Sequence, residues 1–201
     1  MRKLLVLLFS VLCVEIYAQD SYSAWFQQGK QSVLTFEYIG NGDNFMNYLY
    51  TDIEFGSKNT TNSVYILASR DQKFWDRNIF IHGELRVLTC PEMCFDNVYL
   101  LGPMFGLIGK DNGFLNLQTM FRYDGKADYQ VSLLGEYSYK RFYYSGFYDT
   151  YGTDKIYCHS ENRFFFTVYK KLRIGANFIF TINEEEKSPH LKPMGVVRID
   201  L

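Results

Sequence analysis

The chain has 201 residues, of which 47% are hydrophobic, 18% aromatic and 21% charged, and its formal net charge is -1. This near-neutral charge argues against nucleic acid as a partner, because binding to phosphates requires clustered positive charge. After the N-terminal segment, no stretch approaches the roughly 20 apolar residues of a spanning helix.

The N-terminal segment has the features of a secretory signal peptide. Arg2 and Lys3 supply positive charge, residues 4–14 are apolar, and Ala18 ends a cleavage site. We therefore predict a signal peptide over residues 1–18 and one mature domain over residues 19–201. If this exported chain enters a membrane, we expect it to do so as β-strands.

A period-two alternation of apolar and polar residues recurs along the mature chain. In residues 114–123 one face carries Leu115, Leu117, Phe121 and Tyr123. The other face carries polar side chains, namely Asn116, Gln118 and Arg122. Successive side chains of a strand point to opposite faces, so the pattern predicts strands with one apolar and one polar face.

Turn-like clusters separate the alternating segments at short intervals, which favours an all-β fold. The predicted strands cover residues 22–27, 32–39, 44–55, 64–72, 79–88, 97–107, 114–123, 129–139, 142–151, 159–169, 173–182 and 192–201. Spanning strands need about 9–11 residues, so twelve strands use up the mature chain and leave little for loops. Ten strands stay open as an alternative, because the first segment is weak.

Periodicity alone fits two kinds of barrel. A soluble lipocalin-like barrel has an apolar interior, whereas an outer-membrane barrel has an apolar exterior and a polar lumen. The abundant aromatic residues and the final alternation of Val197, Ile199 and Leu201 favour the second kind. We predict an all-β, transmembrane antiparallel β-barrel of about twelve strands in the outer membrane, in contact with its lipid.

Three cysteines follow the predicted cleavage site. Cys90 and Cys94 are close enough to form a loop disulfide in an oxidising compartment, which would leave Cys158 free. Unpaired thiols are an open alternative. A metal site would need more ligands than this segment offers, and we expect no cofactor.

Several short stretches resemble the Tsx-like outer-membrane channels. They are residues 34–38, 42–45, 50–54, 70–75, 97–102 and 145–147, with the pair His82 and Glu84. The resemblance implies a monomeric twelve-stranded barrel with a narrow lumen. It also implies passage of a small polar solute, and nucleosides are the first candidate because the type member passes them.

The polar faces of the predicted strands supply candidate residues for lining the lumen and binding solute. They are Glu37, Tyr48, Tyr50, Asp52, Glu54, His82, Glu84, Arg86, Gln118, Arg122, Glu136, Phe147, Asp149 and Arg163. A planar base could stack on the tyrosines while carboxylates bond a ribose hydroxyl. The tyrosines also fit a place at the membrane interface, and Tyr99 is a further candidate for the lumen.

Two interpretations of this lumen stay open. In the first, the polar groups replace water around a small solute in a passive channel. In the second, ion pairs close the lumen and the barrel is structural and does not conduct. A soluble secreted ligand-binding barrel is a third alternative. We predict no enzyme, because no serine lies in a nucleophile motif and no triad is apparent.

Overall fold

A computed structural model describes residues 19–28, 32–55, 61–75, 78–89, 95–153, 155–183 and 189–201. The predicted signal peptide, Cys90 and Cys94 lie outside the described residues. Within the described part of the chain, no helix is long and apolar enough to cross a membrane.

The described residues form twelve β-strands. They are β1 (Gln19–Gln28), β2 (Ser32–Asn41), β3 (Phe45–Phe55), β4 (Thr61–Trp75), β5 (Ile79–Thr89), β6 (Phe95–Lys110), β7 (Gly113–Tyr123), β8 (Ala127–Tyr139), β9 (Phe142–Tyr151), β10 (Tyr157–Tyr169), β11 (Leu172–Asn183) and β12 (His190–Asp200). Each strand pairs antiparallel with its neighbours in sequence, and β12 pairs with β1 to close the barrel. The prediction of twelve strands is confirmed, and the alternative of ten is wrong.

The two faces of each strand have the orientation that a lipid-facing barrel requires. On β8, Gln130 and Ser132 are each 1% exposed, whereas Tyr129 is 69% and Val131 46% exposed. Val197, Ile199 and Leu201 likewise lie on the exposed side. The polar face is therefore inside and the apolar face outside, which is opposite to the interior of a soluble barrel.

Several strands are longer than the alternation predicted. β4 has 15 residues and β6 has 16, which exceeds the length that a strand needs to cross a bilayer. The alternation underestimates both strands because their ends carry polar or mixed residues beyond the apolar stripe.

The connections differ between the two ends of the barrel. The end that carries Gln19 and Leu201, here called the terminal end, has short connections: residues 42–44, 76–78, 111–112, 140–141 and 170–171. The opposite end, here called the loop end, has mostly longer ones: residues 29–31, 56–60, 90–94, 124–126, 152–156 and 184–189. Short turns beside the termini and longer loops opposite are typical of outer-membrane barrels.

Outward-facing aromatic residues gather near both ends. Tyr139 and Tyr169 lie beside two-residue turns of the terminal end, where Lys140 and Lys170 place their amines 5.1 and 5.2 Å from the ring centroids. At the loop end, Tyr123 and Tyr129 flank the connection between β7 and β8 and are exposed. Two such girdles mark the lipid–water interfaces of a spanning barrel.

The barrel closes along a short seam. β1 pairs with β12 only from Ser23 to Gln28, whereas it pairs with β2 along its whole length from Gln19. Beyond Ser23, the amide of Leu201 donates to the carbonyl of Tyr22 at 2.8 Å.

Candidate functional site

The strand register places every predicted lumen residue on an inward-facing position. These residues are Glu37, Tyr48, Tyr50, Asp52 and Glu54 on β2 and β3, His82, Glu84 and Arg86 on β5, Gln118, Arg122 and Glu136 on β7 and β8, and Phe147, Asp149 and Arg163 on β9 and β10. Tyr99 is the exception among the aromatic candidates. It pairs with the outward Tyr123 and is 39% exposed, so its assignment to the lumen is wrong.

Arg163 on β10 reaches across the interior to β3. Its Nη2 atom lies 2.5 Å from the carboxylate of Glu161 and 3.2 Å from the hydroxyl of Tyr50. The guanidinium carbon lies 5.1 Å from the ring centroid of Trp25 on β1. One side chain thus joins three strands, and its charge is held by a carboxylate and an aromatic face.

The carboxylate of Glu37 on β2 contacts three side chains. The hydroxyls of Ser23 and Tyr48 donate to its carboxylate at 2.8 and 3.0 Å, and Arg198 on β12 pairs with it at 3.1 Å. The guanidinium of Arg198 also lies 4.7 Å from the ring centroid of Trp25. The terminal strands are therefore tied together from inside the barrel as well as through the backbone ladder.

A chain of charged side chains runs from β4 to β9. Asp71 lies 2.6 Å from Nδ1 of His82, and Nε2 of His82 lies 3.2 Å from Glu84. Glu84 pairs with Arg86, which lies 3.3 Å from the carboxylate of Asp149. Because both ring nitrogens of His82 face carboxylates, the imidazole satisfies both contacts only when both nitrogens carry protons.

Other predicted residues make more local contacts. Arg122 donates to Gln130 at 3.1 Å and pairs with Asp124 at 2.9 Å. Gln118 lies 3.2 Å from His82, and the ring of Phe147 lies 5.5 Å from that of His159.

Three predicted carboxylates have only hydroxyl partners among the described residues. Asp52 accepts from Thr35 and, at 2.8 Å, from Tyr50. Glu54 accepts from Ser63 at 2.8 Å. Glu136 accepts from the hydroxyl of Tyr143.

The middle of the interior is filled by side chains. Thr35 and Asn177 are fully buried, and Trp25 is 2% exposed. A cavity of about 300 Å³ opens at the terminal end. Its lining includes Glu136 and Tyr143, which both face inward. The middle of the interior is therefore packed and ion-paired, and the cavity lies at the terminal end beside the turn between β6 and β7.

Sequence reasoning missed several interior residues. Trp25 lies in the weakly patterned first strand and Asp71 in the predicted strand over residues 64–72, and neither is among the candidate residues. The alternation of inward and outward positions would have identified both residues as interior. Trp25 lies on the same face as Gln27, and Asp71 lies on the same face as Ser69.

The described residues add one observation on metal binding and one on the thiols. Within the described ranges, no three His, Cys, Asp or Glu residues are placed to hold a metal ion. Cys158 is a free thiol 3.7 Å from the hydroxyl of Thr150.

A closed twelve-stranded antiparallel barrel with an apolar outer surface and a polar interior has the architecture of a transmembrane outer-membrane barrel. Solved structures with this fold include a KdgM porin in complex with disordered oligogalacturonate, with a TM-score of 0.59 and 9% identity over 90% of this chain and 99% of that one. A NanC porin gives 0.58 and 5%, over 90% and 98%. A further KdgM porin gives 0.57 and 10%, over 90% and 99%.

These identities are low, and the similarity shows a common porin-type fold without defining a family. No protein-family model matches the chain, and no curated protein sequence is similar to it.

Proposed function

We propose that the protein is an outer-membrane channel that passes small polar solutes passively. The observation that carries the proposal is the polar inward face that continues from strand to strand around the closed barrel, next to an apolar outer face. The porin-type fold of the KdgM and NanC structures supports the same function and an outer-membrane location.

Nucleosides are the first solutes to test. The rings of Tyr48 and Tyr50 have centroids 6.2 Å apart and planes 23° apart, next to the carboxylates of Glu37 and Asp52. Tyr50 is buried, so the partly buried Tyr48 is the ring that a solute could reach. An aromatic face suits a planar base, and a carboxylate suits a ribose hydroxyl. The resemblance to Tsx-like channels points to the same solute class.

Oligogalacturonate, which one of the KdgM structures contains, is a weaker candidate for this chain. It is a polyanion and would need free cationic partners. The interior guanidiniums of Arg86, Arg163 and Arg198 each already contact a carboxylate of this chain.

A non-conducting structural barrel is the second candidate function. The contacts that favour it cross the interior between distant strands, namely Arg163 with Tyr50 and Arg86 with Asp149. If these contacts are permanent, they hold the barrel together and leave no path for a solute.

Conductance in planar bilayers separates the two candidates. Purified protein that shows the heat-dependent gel mobility of a folded barrel would be added to the bilayer, with uridine and adenosine as blockers. We expect discrete conductance steps that added nucleoside reduces. Folded protein without conductance would favour the structural barrel, and conductance that is insensitive to nucleosides would exclude them as the bound solute.

A second assay tests where the solute binds. Glu37→Gln removes the carboxylate that accepts a hydrogen bond from the Tyr48 hydroxyl, and Tyr48→Phe removes that hydroxyl. Asp43→Asn changes an exposed turn residue outside the barrel. Nucleoside block should weaken in the first two variants and stay unchanged in the third. Equal block in all three would place the solute elsewhere in the lumen.

A further inference from the structure

Among the described inward-facing residues, every arginine is paired with a carboxylate, but not every carboxylate is paired with a cation. Each inward-facing arginine of the described strands has a carboxylate within ion-pair distance: Arg86 with Glu84 and Asp149, Arg122 with Asp124, Arg163 with Glu161, Arg173 with Asp200, and Arg198 with Glu37 and Asp200. A guanidinium in such a pair presents little net charge to a passing solute.

Aromatic rings cover most of the same arginines. The guanidinium carbon of Arg122 lies 4.2 Å from the ring centroid of Tyr151, and that of Arg173 lies 4.5 Å from the centroid of Tyr143. A guanidinium packed on a ring has one face closed to an incoming anion.

Three of the predicted inward carboxylates lack this compensation. Asp52, Glu54 and Glu136 bond to hydroxyl groups, and no described arginine or lysine lies within ion-pair distance of them. A hydroxyl donor stabilises a carboxylate without cancelling its charge. The uncompensated charge of the described lumen is therefore mainly negative. Lys73 and Lys192 also fall on inward-facing positions, but only near the ends of their strands.

The three carboxylates are spread along the axis of the barrel. Glu54 lies next to the last residue of β3 at the loop end, and Asp52 lies one inward position deeper. Glu136 lies near the terminal end and lines the cavity of about 300 Å³. Carboxylates thus lie near both ends of the lumen, which is an arrangement that concentrates cations at the entrances of a narrow pore.

We infer that this lumen admits cations and neutral polar solutes in preference to anions. The inference rests on the proposed channel function and adds the charge class of its solutes. It assigns Asp52, Glu54 and Glu136 as the residues that determine selectivity. The arginines hold the wall together and do not attract solute.

The reversal potential in a KCl gradient tests this inference directly. Wild-type protein should show a K⁺ to Cl⁻ permeability ratio above one. The ratio should fall toward one in Asp52→Asn combined with Glu136→Gln. Asp43→Asn removes one negative charge from an exposed turn and should leave the ratio unchanged.

Liposome swelling gives a measurement on the unaltered protein, in case the double variant fails to fold. Glucosamine, glucose and glucuronate have similar sizes and differ in charge. Swelling should be slowest with glucuronate. Equal or faster swelling with glucuronate, or a wild-type permeability ratio at or below one, would overturn the inference and leave the channel function intact. Folded protein that neither conducts nor swells liposomes would overturn the channel function and this inference with it.

Discussion

The Nη1 atom of Arg86 lies 3.3 Å from the Oδ2 atom of Asp149, although their strands β5 and β9 are not neighbours in the barrel. The contact therefore crosses the interior instead of following the wall. Together with the contact of Arg163 with Tyr50, it links distant strands across the interior.

Removal of this contact should increase conductance. In Arg86→Gln combined with Asp149→Asn, one charge of each sign disappears, and the buried Glu84 loses Arg86 but keeps its contact with His82. We expect larger single-channel steps than in wild type. Arg122→Gln with Asp124→Asn is the matched control, because that pair joins residues two apart in sequence at the loop end. Steps of wild-type size in the first variant would show that the contact does not limit the path.

His82 should matter to stability more than His159, an inward histidine that also contacts a carboxylate. His82→Ala leaves Asp71 and Glu84 buried without the group that separates their charges, and we expect a loss of about 3–5 kcal/mol. His159 lies 3.7 Å from Glu161 and is more exposed, so His159→Ala should cost about 1 kcal/mol or less.

Urea unfolding in vesicles, followed through tryptophan fluorescence, measures both histidine variants. Similar losses would contradict the charged chain from β4 to β9 as a structural element.

A charged residue introduced on the lipid-facing surface should destabilise the barrel more when it lies closer to the middle of the bilayer. Leu133 lies outward at the middle of β8, so Leu133→Arg should cost about 2–4 kcal/mol. Tyr139 lies outward at the end of the same strand, where Tyr139→Arg should cost about 0–1 kcal/mol. The free energy of unfolding in vesicles compares the two. Equal costs would place the bilayer elsewhere on the barrel.

Two glycines of β6 should respond differently to one added methyl group. A Cβ at Gly102 would lie 2.1 Å from the carbonyl oxygen of Thr119 on β7, so Gly102→Ala should separate these strands and cost about 1–3 kcal/mol. A Cβ at Gly109 meets no atom within 4 Å, so Gly109→Ala should be nearly neutral. Thermal unfolding of the folded gel band reports both. Equal melting of the two variants would contradict the close approach of β6 and β7.

The alternation predicted the barrel well because its physical cause is local. Gln130 and Val131 are adjacent in sequence, and their opposite environments follow from the pleat of one strand. The same alternation of inward and outward positions placed Glu37, Asp52 and Arg163 inside the barrel.

Partners within the lumen were beyond the reach of the sequence. The contact of Arg163 with Tyr50 joins residues 113 positions apart, and its existence depends on the shear and diameter of the closed barrel. The assignment of Tyr99 to the lumen failed for a different reason. Its aromatic character fits either face, and only the register with Tyr123 places it outside.

The seam between β1 and β12 has a kinetic consequence. On β1 its backbone ladder covers only Ser23 to Gln28, and it joins the two strands of the barrel that are farthest apart along the chain. Such long-range pairing carries the largest loop-closure entropy and forms late. The seam should therefore be the last ladder to form and the first whose amide protons exchange with solvent. The contact of Arg198 with Glu37 should slow the opening of this seam from inside the barrel.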